Sequence, residues 1–313
     1  MQHSRSRERS PLLVLGVGGA GCRAARALIQ SGFSGADVAL ADTSVPAHVP
    51  PLLGSETPIL LQRAEPDEGS RDPPVASSGC REALQTTFAR RTTVLILAGL
   101  GGRTANQFSP LAAQLAREGD ALTAAVVTLP FSLMEGSLRT GSASAALSRL
   151  AAHCHSTIVI HHDSLLPSPG HALPHAALAV ADDYQRVVAE AVSDLSEGRA
   201  RLLSERVTGR ELLENAGLGS ALVRECIGES FVASVTSVLA SVAEAPLMKP
   251  GGVLILLVRG AETPELDELE RYRALLELRF SGERAILGWT PASGRSEQRS
   301  ITAMMFPGRG PRA

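Results

Sequence analysis

Short apolar segments alternate with longer amphipathic ones through the first half of the chain. Each segment is bounded by Gly, Pro or Asp and followed by a helix-like stretch, except that residues 45–74 are Pro-rich and loop-like. The segments are Leu12–Leu15, Asp37–Ala41, Thr93–Ala98, Ala121–Thr128 and Ser156–His161. Strands that alternate with helices favour right-handed crossovers and a parallel sheet covered on both faces. The pattern predicts a doubly wound α/β domain.

A long helix is predicted after this domain. Residues 176–203 contain no proline and a single glycine, Gly198. Their apolar positions recur every three or four residues, which is typical of a helix with one buried stripe. The stripe consists of Val180, Tyr184, Val187, Val188, Ala191, Val192 and Leu195. A helix of about 20 residues spans ~30 Å, longer than the sheet that it leaves.

The remaining residues predict a second, smaller α/β domain with a mixed sheet. Its strands are Ala221–Ile227, Val253–Val258, Arg284–Trp289 and Ser300–Met305, and its helices are Ser230–Ala243 and Glu265–Leu278. We therefore divide the chain into a disordered arm (1–10), a first domain (11–180), a connecting helix (181–204), a second domain (205–308) and a short tail (309–313).

Composition and charge argue against several classes of partner. The 313 residues are 44% hydrophobic and 20% charged, as in ordinary soluble proteins. Only 3% are aromatic, which disfavours recognition of single-stranded nucleic acid by stacking. Because the net charge is only −2, no overall field attracts DNA or anionic lipid. We expect neither a nucleic-acid partner nor direct membrane insertion.

The cysteines and apolar runs indicate a cytoplasmic protein. The four cysteines lie far apart and form no CxxC pair. The apolar run near the start is too short for a secretory signal, and none is long enough to span a membrane. We therefore expect reduced thiols and a cytoplasmic location.

A glycine-rich segment follows the first predicted strand. Residues 16–21 read GVGGAG, which satisfies GxGxxG at the start of a helix. Backbone N–H groups and the positive end of the helix dipole can cradle phosphate there. Asp42 follows about 20 residues later, where a dinucleotide-binding fold places its ribose-binding acid. Alone, this segment indicates an NAD- or FAD-dependent oxidoreductase. Lys249 is the only lysine, so a P-loop has no candidate.

A second glycine-rich segment follows the strand at Thr93–Ala98. Residues 97–106 read LAGLGGRTAN and again precede a helix. An ordinary dinucleotide-binding domain has one phosphate loop. Two such loops at neighbouring strand ends suit a nucleoside triphosphate held from both sides.

With this second loop the chain resembles the FtsZ/tubulin family, from Leu12 to about Gly308. The family's phosphate loops, VGGGGCN and AGMGGGTGTG, are matched by residues 17–23 and 98–104. Its later motifs are VVTRPF with a following EG pair and Arg, IVIPNDRLL, ADEVL…GISDL, SNAG and the entry to the second domain. They correspond to residues 126–139, 158–166, 181–195, 215–217 and 245–256, with one extra residue before Glu135.

The resemblance implies a tubulin/FtsZ-like fold and a GTP or GDP ligand, with Mg2+ as a candidate companion ion. It implies nucleotide contacts from Gly18, Gly19, Ala20, Gly21, Cys22, Arg23, Gly99, Gly101, Gly102, Arg103, Thr104, Pro130, Glu135, Arg139, His162 and Asp182. Without the surrounding motif, Glu135 and Arg139 would read as a simple i,i+4 ion pair. Within it, they match the acid and the Arg that hold the ribose end.

The resemblance assigns Asp182 to the guanine edge, or Asp183 if the register slips by one. A carboxylate accepts from the ring N–H and amine that guanine has and adenine lacks. However, Arg23 and His162 replace family asparagines that also touch the base. Leu178 falls where the family has a stacking aromatic. The choice between guanine and adenine therefore stays open.

The catalytic parts depart further from the family. Arg103 replaces a third glycine, and either distorts the loop or adds charge at the phosphates. The family's NxDxxD loop, which acts on the nucleotide of the next subunit, becomes Leu203, Glu205 and Thr208. Glu205 and Thr208 are the remaining candidate catalytic residues. Because water positioning depends steeply on geometry, we expect weak or absent hydrolysis.

The resemblance implies polymerisation and a cell-division or other cytoskeletal role. The partner is then the chain itself, as a head-to-tail polymer or dimer, or a paralogous FtsZ. The chain stops shortly after its last predicted strand, without the family's usual linker and membrane-tether peptide, which argues against a main division-ring scaffold. Two alternatives remain: an NAD(P)-dependent oxidoreductase, and a nucleotide-insensitive regulator of a paralogous filament.

Two histidine-rich segments invite a zinc interpretation. His153-Cys154-His155 and His161-His162-Asp163 carry zinc-ligand residue types, but no matching half-site accompanies either. We expect no metal site there.

Overall fold

The structure is a computed structural model that describes residues 10–43, 56–61, 77–132, 134–165, 174–203, 207–226, 231–244, 252–260, 265–279, 284–291 and 299–307. The predicted tail and all of the predicted arm except Ser10 lie outside these ranges, as does Glu205. None of the described helices is both long and apolar enough to cross a membrane.

Within the described residues the strands and helices alternate as the pattern predicts. The strands are β1 (Leu12–Val17), β2 (Asp37–Asp42), β3 (Glu56–Leu60), β4 (Thr93–Gly99), β5 (Leu122–Leu129), β6 (Ser156–His161), β7 (Arg201–Leu202), β8 (Gly217–Cys226), β9 (Val253–Gly260), β10 (Arg284–Pro291) and β11 (Arg299–Phe306). The helices are α1 (Gly18–Gln30), α2 (Ser78–Phe88), α3 (Arg103–Glu118), α4 (Ser137–His153), α5 (Pro174–Ser196), α6 (Gly209–Ala216), α7 (Phe231–Glu244) and α8 (Leu266–Arg279).

The strands form one sheet in the order β3-β2-β1-β4-β5-β6-β8-β11-β9-β10-β7. It is parallel from β3 to β8. Beyond β8 it is mixed, because β11 is antiparallel to both of its neighbours and β10 is parallel to β9. The predicted doubly wound parallel sheet and mixed second sheet are both present. The pairing of β6 with β8, which joins them, has no signature in the sequence.

Helices cover both faces of the parallel part, because its strands carry apolar residues on both sides. One face packs Leu12, Val14 and Leu97 against α1 and α5. The other packs Leu13, Leu15 and further strand residues against α2, α3 and α4. A third apolar cluster lies between the mixed part and α7 and α8.

Two sequence predictions of local structure are wrong. Strand β3 lies within the segment predicted to be a loop. It is only five residues long and contains Pro58, so the sequence pattern did not indicate a strand. Proline is tolerated because β3 is the edge strand. Helix α5 ends at Ser196 rather than continuing to Leu203. Gly198 takes φ +68° there, which glycine adopts at low cost, and the chain then turns into β7.

A buried ionic cluster fastens α5 to the mixed part of the sheet. Arg259 of β9 donates to Glu190, and donates to Asp194 Oδ2 at 2.5 Å. Asp194 also accepts from Thr290 Oγ1 and from Arg199 Nε, each at 2.8 Å. Arg259, Glu190 and Asp194 are 8%, 3% and 4% exposed, so their charges depend on one another for compensation.

We predict that Arg259→Ala destabilises the fold by about 3 kcal/mol, because Glu190 and Asp194 lose their shared cation and keep only Arg186 and Arg199, respectively. The free energy of unfolding is measured by urea denaturation followed by circular dichroism. Arg271→Ala, which removes an exposed arginine from α8, is the matched control and changes the value by less than about 0.5 kcal/mol. Equal unfolding midpoints for the two variants would contradict the importance of the cluster.

Candidate functional site

A cavity of about 570 Å3 lies at the carboxyl ends of the parallel strands. It is bounded by the residues that follow β1, β4, β5 and β6, together with Leu178 of α5. In open parallel sheets this edge is where ligands bind, in the crevice between neighbouring loops. The volume falls within the range of cavities that hold a cofactor or drug-sized ligand.

The first glycine segment passes directly from β1 into α1. Gly18 takes φ +70°, and α1 has no side-chain cap, so its first N–H groups are available to a ligand. A Cβ added at Gly19 would meet nothing nearer than Arg23 Nη1 at 3.8 Å, because this residue faces the cavity. A Cβ added at Gly21 would lie 2.0 Å from the carbonyl oxygen of Leu97. Gly19 therefore borders the ligand space, and Gly21 brings α1 close to β4.

The second glycine segment connects β4 to α3 across the cavity. Gly101 takes φ +99°, and its N–H donates to Asn106 Oδ1 at 2.7 Å. Gly102 is the N-cap of α3 and has no side chain to bond the first N–H groups of that helix. Thr104 also lines the cavity, and its Oγ1 lies 3.2 Å from Thr43 Oγ1. Two helix N-termini thus border one cavity.

Arg103, the first residue of α3, is exposed and lines the cavity. Among the residues that the structure describes, no hydrogen bond or ion pair is formed by its guanidinium group. Its charge is therefore available to an anion in the cavity.

Glu135 stands between two basic groups at the end of β5. Its Oε1 accepts from the backbone N–H of Phe131 at 2.9 Å, and its Oε2 lies 2.8 Å from Arg139 Nη1. His162 Nδ1 lies 3.8 Å from Oε1. Burial lowers the pKa of His162, which Glu135 only partly offsets, so this imidazole is neutral at pH 7. The His162 ring packs on Phe131 with centroids 4.9 Å apart.

Asp182 is paired with Arg23 across α1 and α5. Arg23 Nε donates to Oδ2 at 2.7 Å and Nη2 donates to Oδ1 at 3.4 Å. The neighbouring Asp183 instead accepts from Arg186 Nε on its own helix at 2.8 Å. Asp182 therefore contacts Arg23, which lines the cavity, but Asp182 is not itself among the lining residues.

The charges around the cavity favour an anion. Arg23, Arg103 and Arg139 line it, against Glu135 as the single carboxylate among the described residues that line it. Guanidinium groups supply several donors in a fixed plane and stay charged at all ordinary pH values. No three or more His, Cys, Asp or Glu side chains of the described ranges are grouped to hold a metal ion.

Several predicted residues support the cavity without lining it. Cys22 Sγ donates to the carbonyl oxygen of Gly16 at 3.4 Å and therefore faces the sheet. Gly101 lies beneath Arg139, whose Cγ would be 3.0 Å from an added Cβ. The predicted residues that the cavity brings together are Gly18, Gly19, Ala20, Arg23, Gly99, Gly102, Arg103, Thr104, Pro130, Glu135, Arg139 and His162.

Thr208 lies on the side of the sheet away from the cavity, where the parallel strands begin. It is the N-cap of α6, where its Oγ1 accepts from Glu211 N at 3.2 Å and its own N–H donates to Glu211 Oε2. Arg210 of the same helix donates to Thr92 and Thr93 at the amino end of β4. Within one chain Thr208 therefore cannot reach the cavity.

The sequence missed Gln185, which positions α5 against the cavity strands. This residue is fully buried, and its Nε2 donates to the carbonyl oxygens of Ala98 at 3.2 Å and Val126 at 2.7 Å. These oxygens lie near the ends of β4 and β5. The available signal was a polar residue directly beside the apolar stripe of a predicted helix. Leu100, Thr128 and Met134 also line the cavity without a sequence signal of their own.

Comparison with known proteins places this geometry in context. The family model described as "Tubulin/FtsZ family, GTPase domain" matches residues 69–168. Cell division protein FtsZ 1 of Thermococcus kodakarensis is 35% identical over 196 residues, which are 60% of this chain and 50% of that protein. FtsZ 1 of Halobacterium salinarum is 27% identical over 303 residues, 95% of this chain and 76% of that protein. The chain spans about half the length of the first of these curated relatives.

Solved structures share the fold. An FtsZ dimer from M. jannaschii superposes with a TM-score of 0.76 at 22% identity, over 96% of this chain and 89% of that one. CetZ from Methanosaeta thermophila superposes with a TM-score of 0.66 at 17% identity, over 96% and 87% of the two chains. The predicted tubulin/FtsZ-like fold is confirmed.

We predict that substitutions at Gly19 and Gly21 differ in their effect on the stability of the fold. Gly21→Ala places a methyl group inside the contact with Leu97 and lowers the stability by about 1–3 kcal/mol or more. Gly19→Ala has room for its methyl group and keeps the unfolding midpoint, while it narrows the ligand space. Thermal unfolding followed by circular dichroism distinguishes them, and a destabilised Gly19→Ala together with an unaffected Gly21→Ala would reverse the assigned roles.

Proposed function

We propose that this chain is a cytoskeletal protein of the FtsZ/tubulin family that binds GTP or GDP in the described cavity and assembles head to tail with copies of itself. The observation that carries the proposal is the pair of helix N-termini, of α1 and α3, on one cavity. Each offers backbone N–H groups and a positive dipole end, which together suit the several charges of a di- or triphosphate.

The geometry disfavours the oxidoreductase alternative. In that interpretation Asp42 would face the cavity and accept from a ribose. Asp42 does not line the cavity, and its Oδ1 accepts from the backbone N–H of Thr43 at 2.7 Å. The second glycine segment, with Arg103 and Thr104, lines the same cavity as the first segment. The cavity therefore suits a mononucleotide better than a dinucleotide.

Assembly is supported by exposed apolar residues at both edges of the sheet. Met134 and Leu138, beside the cavity, are 52% and 90% exposed. Leu218, which pairs with the start of β6 at the end of the sheet that carries Thr208, is 46% exposed, and Leu203, which follows β7, is 50% exposed. A head-to-tail contact would bring one edge against the other in the next copy, and such a contact is of the heterologous kind that forms filaments. It would also carry Thr208 towards a neighbour's cavity.

Hydrolysis is expected to be weak even in such an assembly. The Thr208 hydroxyl is engaged as a helix cap, and Leu203 brings an apolar side chain where the family has an amide. Glu205 lies outside the described residues. Of the two acidic positions in the family's loop, only Glu205 keeps a carboxylate, and its side chain is longer than that of aspartate. The attacking water then lacks its usual pair of acceptors.

We predict that a fluorescent GTP analogue binds the purified protein, and that unlabelled GTP displaces it whereas NADH does not. Arg103→Ala weakens this binding about tenfold or more, because it removes a charge-assisted contact. Arg117→Ala, at the far end of α3, is the matched control. Tighter binding by Arg103→Ala would show that this arginine obstructs the phosphates.

Light scattering that rises on GTP addition separates an assembling protein from a nucleotide-insensitive regulator.

We predict that phosphate release from GTP is on the order of 10²-fold slower than in a variant with a restored loop, Leu203→Asn/Glu205→Asp/Thr208→Asp. Aspartate caps a helix as well as threonine, so the variant keeps α6. Thr208→Ser, which keeps the cap without a carboxylate, is the control and leaves the rate unchanged. A wild-type rate equal to that of the triple variant would mean that the existing residues suffice for hydrolysis.

A further inference from the structure

The turn of the second glycine segment is held from behind by Asn106. This residue lies in the first turn of α3 and is not among the described residues that line the cavity. Its Oδ1 accepts the Gly101 N–H at 2.7 Å, and its own N–H donates to the carbonyl oxygen of Gly102 at 3.0 Å. Because glycine has the most backbone freedom of any residue, these bonds restrict the turn where it is intrinsically least restricted.

The other end of the Asn106 amide reaches α4. Its Nδ2 donates to Ser142 Oγ at 3.3 Å, and the Ser142 hydroxyl donates to the carbonyl oxygen of Arg139 at 2.9 Å. The backbone carbonyl oxygen of Asn106 accepts from Arg149 Nη2 at 3.2 Å. One residue of α3 therefore bonds both to the second glycine segment and to two positions of α4.

Arg139 also packs directly on the turn. A Cβ added at Gly101 would lie 3.0 Å from Arg139 Cγ and 3.3 Å from Pro130 Cγ. The guanidinium of Arg139 extends from there to Glu135, whose Oε2 is 2.8 Å from its Nη1. Because the turn and the arginine stem are in close contact, a change in the turn displaces this side chain as well.

Two of the three arginines that line the cavity depend on this arrangement. Arg103 follows the turn as the first residue of α3, and Arg139 packs against it. A polyanion that contacts both guanidinium groups binds more tightly when their backbones are fixed in advance, because less ordering is then required on binding. The Asn106 hydrogen bonds fix the backbone from which both side chains extend.

We infer that Asn106 is a positioning residue for the nucleotide. It does not contact the ligand, and it holds the second glycine segment against α4 so that Arg103 and Arg139 meet the same polyanion. This inference rests on the proposed function, since it concerns how the same cavity holds its nucleotide.

The test measures the affinity of the fluorescent GTP analogue for wild type, Asn106→Leu and Asn106→Asp, and for Asn106→Leu in the Arg103→Ala background. Leucine is similar in size to asparagine and removes both ends of the amide, whereas aspartate keeps an acceptor for the Gly101 N–H. Gln114→Leu, which removes an amide that donates to Glu118 further along α3, is the matched control. The unfolding midpoint of every variant is measured by circular dichroism.

Asn106→Leu is expected to weaken binding about fivefold, which corresponds to the loss of one ordinary hydrogen bond, and Gln114→Leu leaves the affinity unchanged. In the Arg103→Ala background Asn106→Leu weakens binding only about twofold, because one of the two side chains that it displaces is already absent. Asn106→Asp adds a negative charge near the anion. Its deficit relative to wild type shrinks with added salt to less than that of Asn106→Leu, because the charge is screened while the acceptor is kept.

Equal losses from Asn106→Leu in the two backgrounds would overturn the inference, because Asn106 would then act independently of Arg103. An unchanged affinity of Asn106→Leu would overturn it as well, and in both cases the proposed function survives. If Asn106→Leu does not fold, the contradicting result is a deficit of Asn106→Asp that salt does not reduce. If wild type itself does not bind the analogue, the proposed function fails and the positioning role fails with it.

Discussion

The close approach of α1 to β4 determines where the two glycine segments lie. An added Cβ at Gly21 would lie 2.0 Å from the Leu97 carbonyl oxygen, and one at Gly99 would lie 2.6 Å from Ala20 Cβ. Neither position has space for a side chain, so the backbones of the first and second segments touch. This contact brings the N-termini of α1 and α3 to one cavity. Without it, the chain would have two separate anion sites rather than one site for a polyphosphate.

Helix α5 transmits this arrangement to the rest of the molecule. Gln185 fastens it to the cavity ends of β4 and β5, and Arg23 reaches it from α1. Further along the same helix, Glu190 and Asp194 hold Arg259 of the mixed part of the sheet. One helix therefore carries polar contacts to the cavity at one end and to the second half of the chain at the other. A ligand that contacts Arg23 would therefore act on α5, which also contacts the second half of the chain through Arg259.

The sequence was sufficient for the parallel sheet because buried strands appear as apolar runs, and Leu12–Leu15 and Thr93–Ala98 are of this kind. It was insufficient for β3, because an edge strand with Pro58 lacks that signature. The cavity residues followed from motif order, since each ends a parallel strand. The Arg23–Asp182 pair did not follow, because it joins residues 159 positions apart and no local periodicity records such a contact. The position of Thr208 at the far edge depends on the pairing of β8 with β6, which is likewise a property of the whole sheet.

The departures from the family pattern affect different parts of the site. In the second glycine segment Asn106 accepts the N–H of Gly101, so this segment keeps a turn with φ +99° although later glycines are replaced. The turn beside the cavity is thus held by an internal hydrogen bond. Between α1 and α5, Arg23 pairs with Asp182 through two hydrogen bonds. Thr208 caps α6, whose Arg210 contacts the amino end of β4 on the side away from the cavity. Because these three regions share no side chain, a substitution in one can leave the others intact, and the weak turnover that we propose does not imply loss of the nucleotide.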